Sequence, residues 1–548
     1  MSEDLFAKEE TRKELTRRSF LKLMTGLGLT GLAGVTLRGL GLGGLVAPAG
    51  GLVAPAVGYA SKLAPADVVP IAPDNPSIVY YQEFCLRGSC DACVRVCNEV
   101  QTVLGFWDEK VAQEIVCVNC GQCALVCPGK DGLPAIRERD ETAVVFDALA
   151  SPDYHVVVQT APATRVALGE EFGLAPGTWV EGQQVAALRR LGFDAVFNTN
   201  FTADLTIMEE ATEFLQRVVN GTHPLPMFTS CSPGWVKFME YFYPALIPHV
   251  STCMSPQQMF GALAKTYYAK ARGLNPEKII SVSIMPCTAK KFEAQRPEMN
   301  AASRYWNNSL VSRDVDVVLT TRELARMIKA RGIDFANLPV EGYDSLMGED
   351  TGAAIIFGAT GGVMEAALRT AYFFLTGAQP PQDLLNFTPV RGLVGIKEAS
   401  VQINGVTVNV AVAHELKNAR TVCDMVLAGN PNGWHFIEFM SCSGGCISGG
   451  GQPRTAVPPT DPIRQARIDA LYVKDAAEIQ RASYENSEVL ALYQNFLGEP
   501  YSKLAKQLLH TTYVNRGPVV STLTPCHTGT QQNQGFTDMK RTRTTTFS

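Results

Sequence analysis

The chain has 548 residues, of which 46% are hydrophobic and 18% charged, a composition that supports a large globular core and excludes a disordered or fibrous protein. Its net charge of -5 comes without a clustered basic excess, which argues against nucleic acid as a partner. The 15 cysteines are bunched: eight lie from Cys85 to Cys127, and most others sit in short Gly- or Pro-rich runs. Such spacing points to metal ligation rather than a disulfide framework.

The first predicted element is an address. Arg17 and Arg18 form a twin-arginine pair, with Phe20 and Leu21 at the expected offsets, and a Gly-rich apolar stretch follows to about Ala60. This pattern is read by the Tat translocon, which exports folded proteins. The expected destination is the periplasm or the outer face of the cytoplasmic membrane. A retained anchor is the other reading. Residues 39–60 are long enough to span a bilayer, but their Gly and Pro content makes a poor helix. Cleavage near Ala60 is therefore expected.

Residues 61–80 read as a Pro/Ala-rich linker, and residues 81–140 as a small cysteine-rich α+β module. Cys117, Cys120, Cys123 and Cys127, followed by Pro128, form the C-x2-C-x2-C-x3-C-P run of bacterial two-cluster ferredoxins. In that pattern three cysteines hold one 4Fe–4S cubane and the fourth reaches the other. Cys85, Cys90, Cys93 and Cys97 read as the partner half, with a wider first gap and no trailing proline. Two structural zinc sites are the alternative, and the eight-cysteine pattern with its Cys-Pro end speaks against it.

From 152 to 480 short β-rich runs alternate with helical patterns. Strands are expected at 154–159, 194–197, 278–284, 314–319 and 435–439, with helices at 204–219 and 322–331. This alternation predicts mostly parallel sheets with flanking helices. Asn404-Gly405 marks a hairpin within 402–413. In parallel sheets ligands bind beyond the carboxyl ends of strands. Three such ends carry motif cysteines: 226–229 before Cys231, 278–284 before Met285-Pro286-Cys287, and 435–439 before Met440-Ser441-Cys442. Residues 484–514 read as helical, and 516–548 as a disordered tail.

Three motifs resemble those of the FeFe hydrogenases: Thr229-Ser230-Cys231-Ser232-Pro233-Gly234-Trp235, Met285-Pro286-Cys287-Thr288-Ala289-Lys290-Lys291-Phe292-Glu293, and the run from Glu438 through Cys442 and Cys446 to Pro453. Leu509-His510-Thr511-Thr512-Tyr513 is similar to that family's small-subunit element, here fused to the same chain. The resemblance implies an H-cluster, a 4Fe–4S cubane joined to a two-iron unit carrying carbonyl, cyanide and a dithiolate. Cys287, Cys442 and Cys446 would ligate it, with Cys446 as the bridge. Lys290 would hydrogen-bond a cyanide, and Pro162, Gln257, Met285 and Met440 would line the pocket. A proton relay would run through Cys231, Glu210, Ser251, Glu213 and Arg217.

One position departs from the pattern. The family places two adjacent cysteines in the first motif, and this chain has Cys231 followed by Ser232. By position Cys231 is the proton donor and Ser232 falls on a cubane-ligand site. Ser232 could ligate through oxygen, Cys231 could move to become the ligand, or Cys253 could substitute. The implied activity is reversible oxidation of H2 to protons and electrons, with uptake the natural direction outside the membrane. It implies maturation proteins for the two-iron unit and a redox partner such as a ferredoxin, a cytochrome or a membrane redox subunit. A hydrogen sensor and a non-catalytic iron–sulfur protein of the same fold are the competing readings. Cys423 and Cys526 read as a core thiol and a tail thiol.

Overall fold

The computed structural model describes residues 68–106, 115–454 and 456–517. The expected signal at 1–60, Cys526 and nearly all of the expected tail lie outside the described residues. Among the described residues no helix is long and apolar enough to cross a membrane.

Strand β1 (Ile78–Tyr80) pairs antiparallel with β2 (Ile136–Glu138), closing the cysteine-rich module into one unit. The expected linker at 61–80 is therefore corrected over its described part. The backbone N–H groups of the buried Ser77 and Ile78 donate to Asn75 Oδ1, and Val69 packs in the module's core. Proline and alanine dominated the reading of that segment, and an Asx turn feeding a three-residue strand carries almost no periodicity.

Two four-stranded sheets follow. In the first, β3 (His155–Thr160), β4 (Ala195–Asn198), β6 (Ile279–Met285) and β7 (Val317–Thr320) run parallel in the order β4-β3-β6-β7. In the second, β5 (Met227–Phe228), β8 (Ile396–Ile403), β9 (Val406–His414) and β10 (Phe436–Met440) take the order β5-β10-β9-β8. β10 is parallel to both its neighbours, and the β8–β9 hairpin turns at Asn404-Gly405, both at positive φ. The parallel strands β3, β4, β6, β7 and β10 are almost entirely buried, as strands covered on both faces are, whereas the antiparallel edge strand β8 is partly exposed. The helix Thr199–Asn220 is almost wholly buried, capped by the Asn198 side chain at its start and ended by Gly221 in the left-handed region. Cys423 is a buried thiol in the core against the second sheet, as its sequence context implied.

The module is bolted to the larger domain by buried charge. Arg322 reaches from the helix Thr321–Ala330 to the Glu138 carboxylate and to the Gln452 and Gly450 carbonyls. Burial alone would raise Glu138, but Arg322 and Arg326 hold its carboxyl well below the usual range. Replacing Arg322 by Met would leave the buried Glu138 carboxylate only the more exposed Arg326 as partner, a loss of about 2–3 kcal/mol, less than for a fully unpaired buried charge. Anaerobic urea unfolding of R322M should show that loss at neutral pH. A carboxyl depressed on folding contributes its stability above the unfolded value and loses it as pH falls toward the folded one. The difference between R322M and the parent should therefore narrow as the solution is made more acid than the usual carboxylate range.

Candidate active site

The eight module cysteines divide between two cavities. One is lined by Cys97, Cys117, Cys120 and Cys123, the other by Cys85, Cys90, Cys93 and Cys127. Each run thus lends its last cysteine to the other cavity, which is the crossed arrangement of a two-cluster ferredoxin. Asn75 donates to Cys117 Sγ at 3.5 Å, and the Asn119 amide does so at 3.4 Å. Such donors offset the negative charge on cluster sulfurs.

Each catalytic motif leaves the carboxyl end of a strand: Cys231 after β5, Cys287 after β6, Cys442 and Cys446 after β10. The two sheets thus aim their ends at one region. Burial, then the charge of Cys287, raises the Cys442 thiol well above its ordinary value, with Cys120 and Cys446 adding to it. Burial, then Cys287, pushes Cys446 up to about 12. The loops that carry them meet: the Gly451 N–H donates to the Pro286 carbonyl at 2.8 Å, and a Cβ on Gly449 would lie 2.2 Å from that oxygen, which sets Cys287 against the Cys442–Cys446 loop. Cys287 and Cys446 keep some accessible surface, whereas Cys442 is buried. Gly444 and Gly445, at φ +76° and +97°, let the chain turn between Cys442 and Cys446, and a Cβ on Gly445 would lie 2.7 Å from the Thr360 amide nitrogen.

The donor set around these cysteines fits an anionic iron–sulfur assembly. Backbone N–H groups of Ala289 and Lys290 bond the Cys287 sulfur. Lys290 Nζ lies 2.9 Å from Glu293 Oε2 and 3.1 Å from the Cys231 carbonyl, and its charge favours the thiolates of Cys231, Cys287 and Cys446. Gln257 bridges Glu293 and the Lys290 carbonyl while accepting from Ser283. Pro162, Met285 and Met440 are buried at the ends of β3, β6 and β10. Gln122 was not singled out in the sequence. Its side chain donates to Cys442 Sγ at 3.2 Å and to the Ser448 carbonyl at 2.9 Å, joining the ferredoxin helix to the cubane ligands. Its place one residue before Cys123 was the available signal.

The relay residues are also brought together. Burial, then Glu210, raises the Cys231 thiol. Burial, then the Glu213 charge, pushes Glu210 up to about 8, and the Ser251 hydroxyl opposes this by hydrogen bonding. Glu210 Oε1 is buried without a hydrogen-bond partner, which suits a carboxyl that burial keeps protonated at neutral pH. Ser251 Oγ donates to Glu213 Oε2 at 3.2 Å, and Arg217 Nε donates to Glu213 Oε1 at 3.0 Å.

Ser232 and Cys253 part company. The Ser232 hydroxyl lies 3.0 Å from Ser441 Oγ, next to Cys442 in the chain. Cys253 lies 3.9 Å from Glu213, and after burial its thiol answers to Glu213, Glu210 and Glu209, not to the three motif cysteines. Cys253 thus sits with Glu213 and His510, whose ligand atoms lie within 4.8 Å of its own.

The family of iron-only hydrogenase large subunits, C-terminal domain, matches residues 154–450. The chain belongs to the iron-only hydrogenases. The iron hydrogenase small-subunit family matches residues 461–516 of the same hydrogenase chain, so the fused segment begins with the helix Asp461–Ala477, earlier than the expected 484. The hydrogenase is 47% identical over 462 residues to the NADP-reducing hydrogenase subunit HndD of Solidesulfovibrio fructosivorans, covering 81% of this chain and 75% of that one. It is 54% identical over 298 residues to the periplasmic [Fe] hydrogenase large subunit of Nitratidesulfovibrio vulgaris, covering 54% and 68%. Among solved structures it matches a glutamate-to-alanine variant of [FeFe]-hydrogenase HydA1 from Chlamydomonas reinhardtii with a TM-score of 0.60 and 41% identity, covering 69% of this chain and 100% of that one.

Glu210→Gln keeps the shape of the relay and removes its proton, so turnover of the matured hydrogenase should fall about 10²–10⁴-fold, read by gas chromatography of H2. In the parent, H2 evolution should decline as pH rises through about 8, where Glu210 loses the proton it delivers.

Proposed function

We propose that this hydrogenase is exported and works mainly in H2 uptake, passing electrons from an H-cluster through two 4Fe–4S clusters to a redox partner. The observation that carries the active-site reading is the convergence of Cys287, Cys442 and Cys446 beside Lys290, with Cys231 at the head of a buried chain of proton carriers. Cys287, Cys442 and Cys446 would hold the H-cluster, and Lys290 would offer its ammonium to an anionic ligand of that group. The bound group supplies the redox chemistry of H2, and the rest falls to the protein. Cys231 would hold a proton at Sγ next to the site. Glu210, Ser251 and Glu213 would pass it on, and the buried methionines and Pro162 would exclude water.

Electron flow has a route in the packing. Cys120, from the first cavity, is one of the charges acting on Cys442. The backbone of Gly450 lies against that of Cys120: a Cβ there would sit 2.4 Å from the Cys120 carbonyl oxygen. The second cavity, with Cys85 and Cys90, lies farther out, under the exposed Leu86. Export is supported by Arg17-Arg18 and by the periplasmic name of the Nitratidesulfovibrio relative. The Tat translocon, maturation proteins for the two-iron unit and an external electron acceptor are the partners this reading requires.

By its place in the first motif Ser232 would supply the fourth ligand of the cubane, and its hydroxyl lies 3.0 Å from Ser441 Oγ. Oxygen is a harder donor than sulfur. Infrared spectra of anaerobically matured protein should show sharp bands of metal-bound carbonyl and cyanide; their absence would defeat the H-cluster assignment. S232C should raise the cubane's reduction potential in an electron paramagnetic resonance titration, and an unchanged potential would show that the Ser232 side chain is no ligand.

A further inference from the structure

The relay as described ends badly. Arg217 is completely buried, its side chain 0% exposed. Its Nε and Nη2 go to Glu213, its Nη1 to the carbonyls of Pro224, Pro248 and His249, and Nη2 also to that of Val250. A guanidinium does not give up its proton in a protein. Arg217 therefore fixes the charge and position of Glu213 but cannot carry a proton away from it.

Glu213 has a second neighbour. Residues 252–254 pair with the C-terminal segment through the Met254 N–H to the Leu509 carbonyl and the Thr511 N–H to the Thr252 carbonyl, both 2.8 Å. That register sets Thr252 beside His510. Thr252 Oγ1 lies 3.0 Å from Glu213 Oε2 and 2.7 Å from His510 Nδ1, and His510 Nε2 lies 3.1 Å from Glu209 Oε2. The His510 side chain is 7% exposed, against 0% for Glu209. Facing the imidazole are Glu209 from the helix Thr199–Asn220, Thr252, Glu213 and Cys253 from below, and the Tyr501 ring, edge-on at 5.2 Å, from its own segment. Lys506 lies over the far face of Tyr501, and Tyr493 donates to Glu209.

We propose that His510, with Thr252, is the proton exit of this hydrogenase, a branch that leaves the relay at Glu213 and bypasses Arg217. The inference rests on the hydrogenase reading. The hydrogen bonds allow two arrangements that differ by one proton. In the first, His510 Nε2–H donates to Glu209 and the Thr252 hydroxyl donates to Nδ1. In the second, a proton from the Glu213 carboxyl has moved to Thr252 Oγ1 while the original hydroxyl proton has passed to Nδ1. Glu213 is then a carboxylate, Thr252 donates to it, and His510 is an imidazolium stabilised by Glu209. The O–H bond broken at Glu213 is matched by the N–H bond formed at His510, and no other reagent is needed. Release of the imidazolium proton to water, delivery of the next proton to Glu213 through Ser251 and rotation of the Thr252 hydroxyl back to Nδ1 together restore the first arrangement.

The test uses the matured, full-length enzyme. H510Q can bond both Thr252 and Glu209 but takes up no proton, so a structural role would survive it. The proposal expects H2 evolution and uptake to fall roughly 10²-fold, with a larger solvent deuterium isotope effect and unchanged carbonyl and cyanide infrared bands. T252V should show the same loss, and T252S, which restores the hydroxyl, should recover the rate. H510Q at parental rate and isotope effect, or T252S as slow as T252V, overturns the proposal. A parent enzyme without H2 turnover or those infrared bands overturns the hydrogenase reading instead.

Discussion

Packing Cys287, Cys442 and Cys446 together makes every one of those sulfurs harder to ionise: burial raises all three, and for Cys442 and Cys446 the neighbouring thiols act in the same direction. The ferredoxin cysteines share the problem: burial, then Cys117, pushes Cys97 up to about 12. Polypeptide alone offers these groups only Lys290, Gln122 and a few backbone amides as compensation. Iron supplies the missing positive charge, so cluster binding and ionisation of the thiols are a single linked event. The surrounding fold is arranged to hold the sulfurs in place through that event.

What holds them is a set of strand ends braced by buried ion pairs. Motif loops leave β5, β6 and β10 at the same end of their sheets. Arg322 ties the third motif to the ferredoxin module through Glu138. Lys291 is locked between Glu141 and Glu323, and Arg296 between Glu240 and Glu298. Buried pairs of this kind contribute little net stability, but breaking one leaves an uncompensated charge. They resist rearrangement in the loops where a small shift would part the sulfurs.

Much of this was legible from residue spacing. Apolar runs followed by Gly/Pro-framed cysteines gave the strands, their polarity and the ends that converge. The crossed pairing of the two ferredoxin runs was contained in the Cys-Pro pattern. Less legible were features made by side chains meeting across long stretches of chain. Gln122 reaches a cysteine 320 residues away, and its one local signal, the place beside Cys123, does not name that partner. Cys253 reads as a spare ligand, with no sign in the sequence of its place beside Glu213. Arg217 reads as a relay terminus until its donors are seen to be spent on carbonyls. The short strand β1 was hidden because three residues are too few to show a period.

The pairing of residues 252–254 with 509–511 gives the fused C-terminal segment a further meaning. That segment is clamped to the catalytic domain by the Arg467–Glu170 and Arg369–Asp475 pairs and delivers an imidazole into the larger domain's interior. On one polypeptide this meeting is unimolecular and independent of dilution. Were the connection between 454 and 461 severed, the same imidazole would arrive only by docking of a separate piece, and the fraction of enzyme carrying it would depend on the concentration of that piece. Fusion makes completeness of the site a property of translation rather than of assembly.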